Sequence, residues 1–346
     1  MRPLRRRGSA LKELPLVLKE APVLSVEGLA KAYTLRRGLL GLRKELVHAL
    51  AGVSFQIKKG ETLGIVGESG SGKSTLGKVV LRLIEPSFGR IVWSGVDVTR
   101  LPEREVRPHR RRMQIVFQDP YSSLDPRMTV REIVGEGLTL FKLADRSALE
   151  DRVADMLRRV GLDPSMMERY PHEFSGGQRQ RIAIARALAV EPDFVVCDEP
   201  VSALDVSVQG QIVNLLEEIQ EDSGVAFMFV SHDLRLVECT AHRTAVMYLG
   251  RVVEIGPSAR IAQSPLHPYT RALIASSPPH PRGGKGKRSL PLAGEPPSAM
   301  SPPKGCPFHP RCDKKEVGTC DVEAPRLEPA PDDSSHRVAC FFAFET

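Results

Sequence analysis

Residues 67–75 read Gly67-Glu68-Ser69-Gly70-Ser71-Gly72-Lys73-Ser74-Thr75. This is a G-x-x-x-x-G-K-[ST] loop, and it works only between a strand and a helix. The apolar run Thr62–Val66 ends directly at Gly67, as a buried parallel strand would, and residues 76–84 carry a helical pattern. Glycines let the backbone turn its N–H groups inward around phosphate oxygens. The helix that follows adds the positive end of its dipole. Lys73 is placed to reach β- and γ-phosphates, and the Ser74 hydroxyl to bind Mg²⁺. A chance glycine-rich turn is the plain alternative, and the flanking strand and helix count against it.

The rest of the chain repeats the strand–helix alternation. Residues 194–197 and 226–230 are further short apolar runs, and residues 178–188 and 207–221 have helical patterns. That order predicts a mostly parallel sheet in an α/β fold. Ahead of it, β-type stretches at 23–26 and 53–57 flank a basic loop at 36–44. Residues 130–140 and 147–160 read as helices with no strand between them, which predicts a helical insertion at about 119–174. From about Ser264 the composition shifts, and residues 277–305 are rich in Pro, Gly, Ser and Lys, a linker composition. The expected division is a basic arm at 1–22, a nucleotide-binding domain at 23–262 and a cysteine-rich extension at 263–346. No internal repeat is visible.

Composition limits the classes of function. Hydrophobic residues are 41% and aromatics only 5%, so a soluble protein with an aliphatic core is expected. No apolar run approaches the ~18–20 residues that span a bilayer. Lys12 and Glu13 interrupt the apolar stretch after the basic start, which makes a poor signal-peptide core and predicts a cytoplasmic protein. The net charge of +7 favours anionic neighbours without implying nucleic acid. Arg104, Arg107, Arg110, Arg111 and Arg112 read as a solvated helix face rather than a nucleic-acid surface.

A second phosphate element is Asp198-Glu199, directly after the run 194–197. A carboxylate at a strand end beside the phosphate loop holds Mg²⁺, and this is assigned to Asp198. Glu199 is then placed to orient and deprotonate an attacking water. Upstream, Phe174-Ser175-Gly176-Gly177-Gln178 opens a helix. This segment resembles the signature motif of the ABC ATPases, with Phe174 where that family usually has Leu. Other family elements follow in order. Gln118 resembles the Q-loop glutamine, the segment 202–205 ending in Asp205 resembles the D-loop, and His232 resembles the switch histidine. Tyr33 is a candidate for the aromatic that stacks on adenine. The resemblance implies a P-loop ABC-type ATPase: a RecA-like core with a β subdomain, an inserted helical subdomain and a C-terminal cysteine-rich extension. It further implies a head-to-tail dimer with two ATP molecules between subunits, each signature helix closing on the ATP of the partner.

Residues 170–178, 197–207 and 265–273 resemble the dipeptide/oligopeptide importers, and within them the F-type ATPase subunit. That resemblance implies a D-type sister ATPase, two transmembrane permeases, an extracytoplasmic binding protein and a peripheral place on the cytoplasmic face of the membrane. Another small solute, such as a nickel chelate, is the neighbouring alternative. A non-transport ABC ATPase is a further one, disfavoured by the single cassette and the lack of sustained heptads. An exporter subunit is disfavoured by the tail from Pro265 onward. Cys306, Cys312, Cys320 and Cys340 are spaced C-x5-C-x7-C-x19-C, unlike the C-x2-C of structural zinc sites. The resemblance implies thiolates of a [4Fe–4S] cluster; Zn²⁺ and free thiols stay open. Cys197 and Cys239 read as packing residues.

Overall fold

The computed structural model describes residues 21–37, 43–276 and 294–344. The basic arm, the tip of the basic loop and most of the linker therefore lie outside the described residues.

The central layer is a sheet of eight strands. Their spatial order is Glu328–Pro329, Arg337–Val338, Arg251–Pro257, Arg243–Tyr248, Thr62–Val66, Ala226–Ser231, Phe194–Asp198 and Met113–Val116. The last five are mutually parallel, and the first three join antiparallel. Thr62–Val66, Phe194–Asp198 and Ala226–Ser231 are buried along their whole length. Strands covered on both faces need apolar residues at every position, which is why these three read as unbroken runs rather than alternations.

One face is covered by a four-stranded antiparallel sheet, ordered Arg43–Ile57, Leu24–Arg37, Phe88–Trp93 and Val96–Asp97. Its Leu24, Ile57 and Trp93 pack with Leu63 and Ile65 of the central sheet and with Leu76 and Val79 of the helix after the phosphate loop. The Trp93 indole donates to the Val80 carbonyl at 2.8 Å, so the ring is buried without stranding its N–H. The opposite core takes in residues 120–173, whose helices are Pro120–Ser123, Val130–Leu140 and Leu149–Arg159, with no strand among them. Thr129 caps the middle helix reciprocally with Glu132, whose carboxylate accepts the Thr129 N–H at 2.8 Å.

Two local expectations shift. The helix after the phosphate loop runs Lys73–Val80 rather than 76–84. Gly72, at φ 102°, turns the chain so that Lys73, Ser74 and Thr75 already form the first turn, and Arg82, at φ 53°, follows its end. The arginine stretch is not one solvated helix face. Pro108 limits it to the single turn Glu103–Val106 followed by a 3₁₀ segment, Arg107–Arg112. Arg110 there pairs with Glu103 at 2.9 Å and donates to the Leu81 and Arg82 carbonyls. Arg111 donates to the Val190 carbonyl, and Arg112 pairs with Asp193.

The C-terminal segment continues the central sheet instead of hanging from it: Ile255 pairs with Arg337 and Glu254 with Val338. Glu254, fully buried, ties this junction together. Its carboxylate accepts the Leu266 and His267 N–H groups at 2.7 and 3.0 Å and pairs with His336 Nε2 at 2.7 Å. His267 is buried as well, and burial draws its pKa down to about 4, against the opposing pull of Glu254 and with help from Arg271. The unfolded chain, with His near 6.5, binds the proton more readily, so stability is full above that pH and falls as pH drops towards 4. Denaturant unfolding between pH 7 and 5 should lose on the order of 2 kcal/mol through this residue. His267→Asn should flatten that part of the profile; an unchanged slope would show that another group sets it.

Candidate active site

Strand register decides what meets at the site. Val66 lies opposite Ser231, Asp198 opposite Val230, and Val116 opposite Cys197. Four parallel strands therefore end at one edge, the carboxyl edge where open α/β sheets bind ligands. The phosphate loop, Asp198 with Glu199, Gln118 and His232 all leave from that edge. They surround a cleft of about 430 Å³ lined by Ser69, Gly70, Gly72, Lys73, Ser74, Thr75, Gln118, Glu199 and His232.

At its floor, Lys73 Nζ donates to the carbonyls of Gly67 and Glu68 at 2.7 and 3.0 Å, folding its own loop closed. Burial lowers the Lys73 pKa, and the carboxylates of Glu199, Asp198 and Glu68 oppose this. A Cβ on Gly72 would stand 2.4 Å from the Ala49 carbonyl, so the loop runs too close to the neighbouring strand for any side chain there. Ser71, a further member of the loop, is buried and its backbone carbonyl accepts the Gly250 N–H. Ser74 Oγ donates to Asp198 Oδ1 at 2.9 Å. Burial raises the Asp198 pKa, with the Ser74 hydroxyl the main opposing influence. A buried carboxylate hydrogen-bonded to a hydroxyl is a site that a divalent cation would satisfy, and Ser74 supplies the second oxygen.

At the rim, Glu199 holds an unusual backbone, φ 46°. A non-glycine residue adopts that conformation only when its surroundings enforce it. Here the Glu199 N–H donates to the Val230 carbonyl at 3.0 Å and its own carbonyl accepts Ser202 Oγ at 3.1 Å. The twist aims the carboxylate into the cleft. One oxygen, Oε2, accepts from Gln118 Nε2 at 3.1 Å and sits 3.3 Å from His232 Nδ1.

The signature residues are elsewhere. Ser175 caps the helix Gly176–Leu188, with its Oγ accepting the Gln178 N–H at 3.4 Å and Gln178 Oε1 accepting the Ser175 N–H at 3.0 Å. Ser175, Gly176, Gly177, Gln178 and Asp205, which precedes the helix Val206–Ser223, line no part of this cleft. Tyr33 does not line it either. It pairs with Val47, which does, and Lys31 sits over its ring. Three lining residues escaped the sequence reading: Val47, Ala49 and, from the C-terminal segment, Ala299, whose carbonyl accepts the His48 N–H at 3.4 Å. Small apolar residues carry no chemical signal, and only pairing brings them here. Also unforeseen are the Tyr269 hydroxyl, which accepts the Glu68 N–H at 2.9 Å, and Arg311, which forks onto the Glu68 carboxylate at 2.7 and 3.1 Å.

The four C-terminal cysteines converge. The Cys306 N–H donates to the Cys320 carbonyl at 2.8 Å, and none of the four is in a disulfide. Burial raises the thiol pKa values of Cys306 and Cys340 and pushes Cys312 up to about 11, and neighbouring cysteines add to the rise in each. A bound cation would oppose both influences. Among the described residues, however, no group of three or more His, Cys, Asp or Glu side chains stands in the geometry that holds a metal ion. Cys197 is buried in the core, as expected of a packing residue, whereas Cys239 is exposed.

Comparison with known proteins agrees with this geometry. Residues 50–202 match the ABC transporter family, and residues 253–320 match the oligopeptide/dipeptide transporter C-terminal region. A probable peptide ABC transporter ATP-binding protein, y4tS of Sinorhizobium fredii, is 50% identical over 92% of this chain and 89% of its own length. The chain belongs to the ATP-binding proteins of ABC transporters. The oligopeptide transport ATP-binding protein AppF of Bacillus subtilis is 47% identical over 92% of this chain and 96% of its own. Among solved structures, the dimeric post-hydrolysis state of the ATP-binding cassette MJ0796 bound to ADP and Pi superposes with a TM-score of 0.60. It is 29% identical and spans 68% of this chain and 98% of that one. No helix among the described residues is long and apolar enough to cross a membrane, so this ABC ATPase has no membrane span of that kind there.

If Ser74 and Asp198 form the Mg²⁺ site, Asp198→Asn should uncouple nucleotide from metal. Titration with a fluorescent ATP analogue, with and without Mg²⁺, is expected to show a clear Mg²⁺ gain in the wild type and almost none in the variant. An undiminished gain would remove Asp198 from that role.

Proposed function

We propose that this chain binds and hydrolyses ATP to energise a peptide importer, as one half of a head-to-tail ATP sandwich. One observation carries the hydrolytic part: Gln118 and His232 both reach a single carboxylate oxygen of Glu199, on the rim above Lys73, Ser74 and Asp198. Lys73 exchanges its carbonyl partners for the β- and γ-phosphates. Ser74, Asp198 and Gln118 would hold Mg²⁺, which supplies positive charge to the phosphate oxygens. Glu199 orients water for in-line attack and takes its proton, and His232 donates to the γ-phosphate as charge develops. The water oxygen bonds to the γ-phosphorus as the bond from that phosphorus to the β–γ bridging oxygen breaks, so ADP leaves with the bridging oxygen and the γ-phosphoryl group leaves as inorganic phosphate.

Ser175, Gly176, Gly177 and Gln178 form a second anion site at a helix start, outside the chain's own cleft. That separation supports their use in trans, on ATP held by a D-type sister subunit. The names of the relatives support peptides as cargo, with two permeases and a binding protein completing an importer, and a place for this chain on the cytoplasmic face of the membrane. We assign the coupling surface to the helical segment at about 119–174, within a nucleotide-binding domain of 23–262, with 263–346 as its extension. Gln118 stands at the head of that segment, so movement around the γ-phosphate passes directly into it.

The cysteines Cys306, Cys312, Cys320 and Cys340 are proposed to hold an iron–sulfur cluster, which when bound cross-links the segment. A single Zn²⁺, with Zn–S of roughly 2.3 Å, demands tighter convergence than a cluster with several irons does. Anaerobically purified protein should contain iron and acid-labile sulfide, and Cys320→Ser should lose both. Zinc without sulfide would replace the cluster with a single ion.

For the ATPase, Glu199→Gln should keep ATP binding and lose roughly 10² to 10⁴ in turnover. Phosphate release by the assembled transporter measures the loss, and retained ATP measures the closed state. Turnover near the wild-type rate would take Glu199 out of the general-base role.

A further inference from the structure

The phosphate-binding loop carries a carboxylate of its own. Glu68 is the second residue of that loop, and its charge acts on Lys73. Uncompensated, it would repel the triphosphate that the loop exists to bind. Its compensation comes from 243 residues away in sequence: Arg311 donates through Nη1 to Glu68 Oε2 at 2.7 Å and through Nη2 to Oε1 at 3.1 Å. The arginine side chain is only 4% exposed, and the carboxylate 25%, so water screens this pair weakly. Arg311 is itself positioned by the cysteine-bearing segment. It precedes Cys312, its backbone N–H donates to the Phe308 carbonyl at 3.0 Å, and its guanidinium reaches the Tyr248 hydroxyl at 3.4 Å. Phe308 packs edge-on against Tyr248 and tilted against Tyr269, the residue whose hydroxyl accepts the Glu68 N–H.

We propose that Arg311 is a positioning residue for ATP binding: it neutralises and orients Glu68, so that the affinity of the phosphate loop depends on the fold of the cysteine segment. This rests on the ATP site described above and extends it to a part of the chain that touches no phosphate. Unfolding of the segment withdraws the guanidinium and leaves the Glu68 charge in the phosphate loop without its buried partner.

The full-length chain is titrated with a fluorescent ATP analogue in Mg²⁺, comparing Arg311→Ala, Glu68→Gln and the double variant. Arg311→Ala is expected to weaken binding roughly tenfold, and to raise KM for ATP in the assembled transporter more than it lowers kcat. Glu68→Gln alone, a change in the loop itself, is the reference against which the double variant is read. The double variant should recover most of the lost affinity, because the charge that needed neutralising is gone; a merely structural arginine would not be rescued in this way. Arg311→Lys, which keeps the charge without the fork, should lose less than Arg311→Ala and serves where the alanine variant does not fold. Cys320→Ser should weaken binding in the Glu68 background and not in the Glu68→Gln background. Wild-type affinity in both Arg311 variants, or a double variant as weak as Arg311→Ala, overturns the proposal. Undiminished ATP binding in Lys73→Ala would instead count against the ATP-site reading of the loop.

Discussion

Parallel pairing at the centre of the main sheet is the constraint from which the site follows. Thr62–Val66 lies between Ala226–Ser231 and Arg243–Tyr248, with Phe194–Asp198 and Met113–Val116 beyond the first of these. Parallel strands in register end together, so residues far apart in sequence emerge side by side. Gln118 and Glu199 are separated by 81 positions, and Ser74 and Asp198 by 124, yet each pair is within hydrogen-bond reach. A slip of one residue would turn every apolar side chain of a buried strand to the opposite face. The core therefore enforces the register, and the register enforces the chemistry.

The electrostatics of the cleft is unfinished business within the single chain. Lys73 is buried and tied to its own loop, Asp198 is buried with the Ser74 hydroxyl as its hydrogen-bond partner, and the Glu199 backbone is held in a left-handed conformation. Each arrangement costs free energy that a phosphate–cation pair would offset. The signature helix, by contrast, is locally complete. Its capping box satisfies the Ser175 and Gln178 N–H groups, and the helix start stands apart from the cleft. A cleft that lacks charge partners and a helix start that lies outside it are complementary surfaces, the physical condition for an isologous or pseudo-symmetric dimer.

The C-terminal segment belongs to this architecture rather than trailing after it. It adds two strands to the sheet, anchors on the buried Glu254, and reaches the cleft at Ala299 and the phosphate loop through Arg311. A segment with little regular structure holds its place here through buried charge and aromatic packing: His336 on Glu254, and Phe308 between Tyr248, Tyr269 and His267.

The sequence by itself determined the α/β class, the phosphate loop, the paired acids Asp198 and Glu199, the signature helix and the helical segment before it. These were legible because each depends on local chemistry: glycines where a backbone must turn, unbroken apolar runs where strands are covered on both faces, a serine where a helix needs a cap. The first turn Lys73–Thr75 was harder to read, since Gly72 begins a helix without any apolar signal. Pro108 shortens the arginine helix, and the pairing of each arginine became visible only with its distant carbonyls and acids in place. Only the tertiary structure decided that Gln118 and His232 share one oxygen of Glu199, that Ala299 closes the cleft while Tyr33 stands outside its lining, and that Arg311 answers the charge of Glu68. Those are contacts across long stretches of chain. They depend on strand register and on the docking of the tail, which no short window of residues encodes.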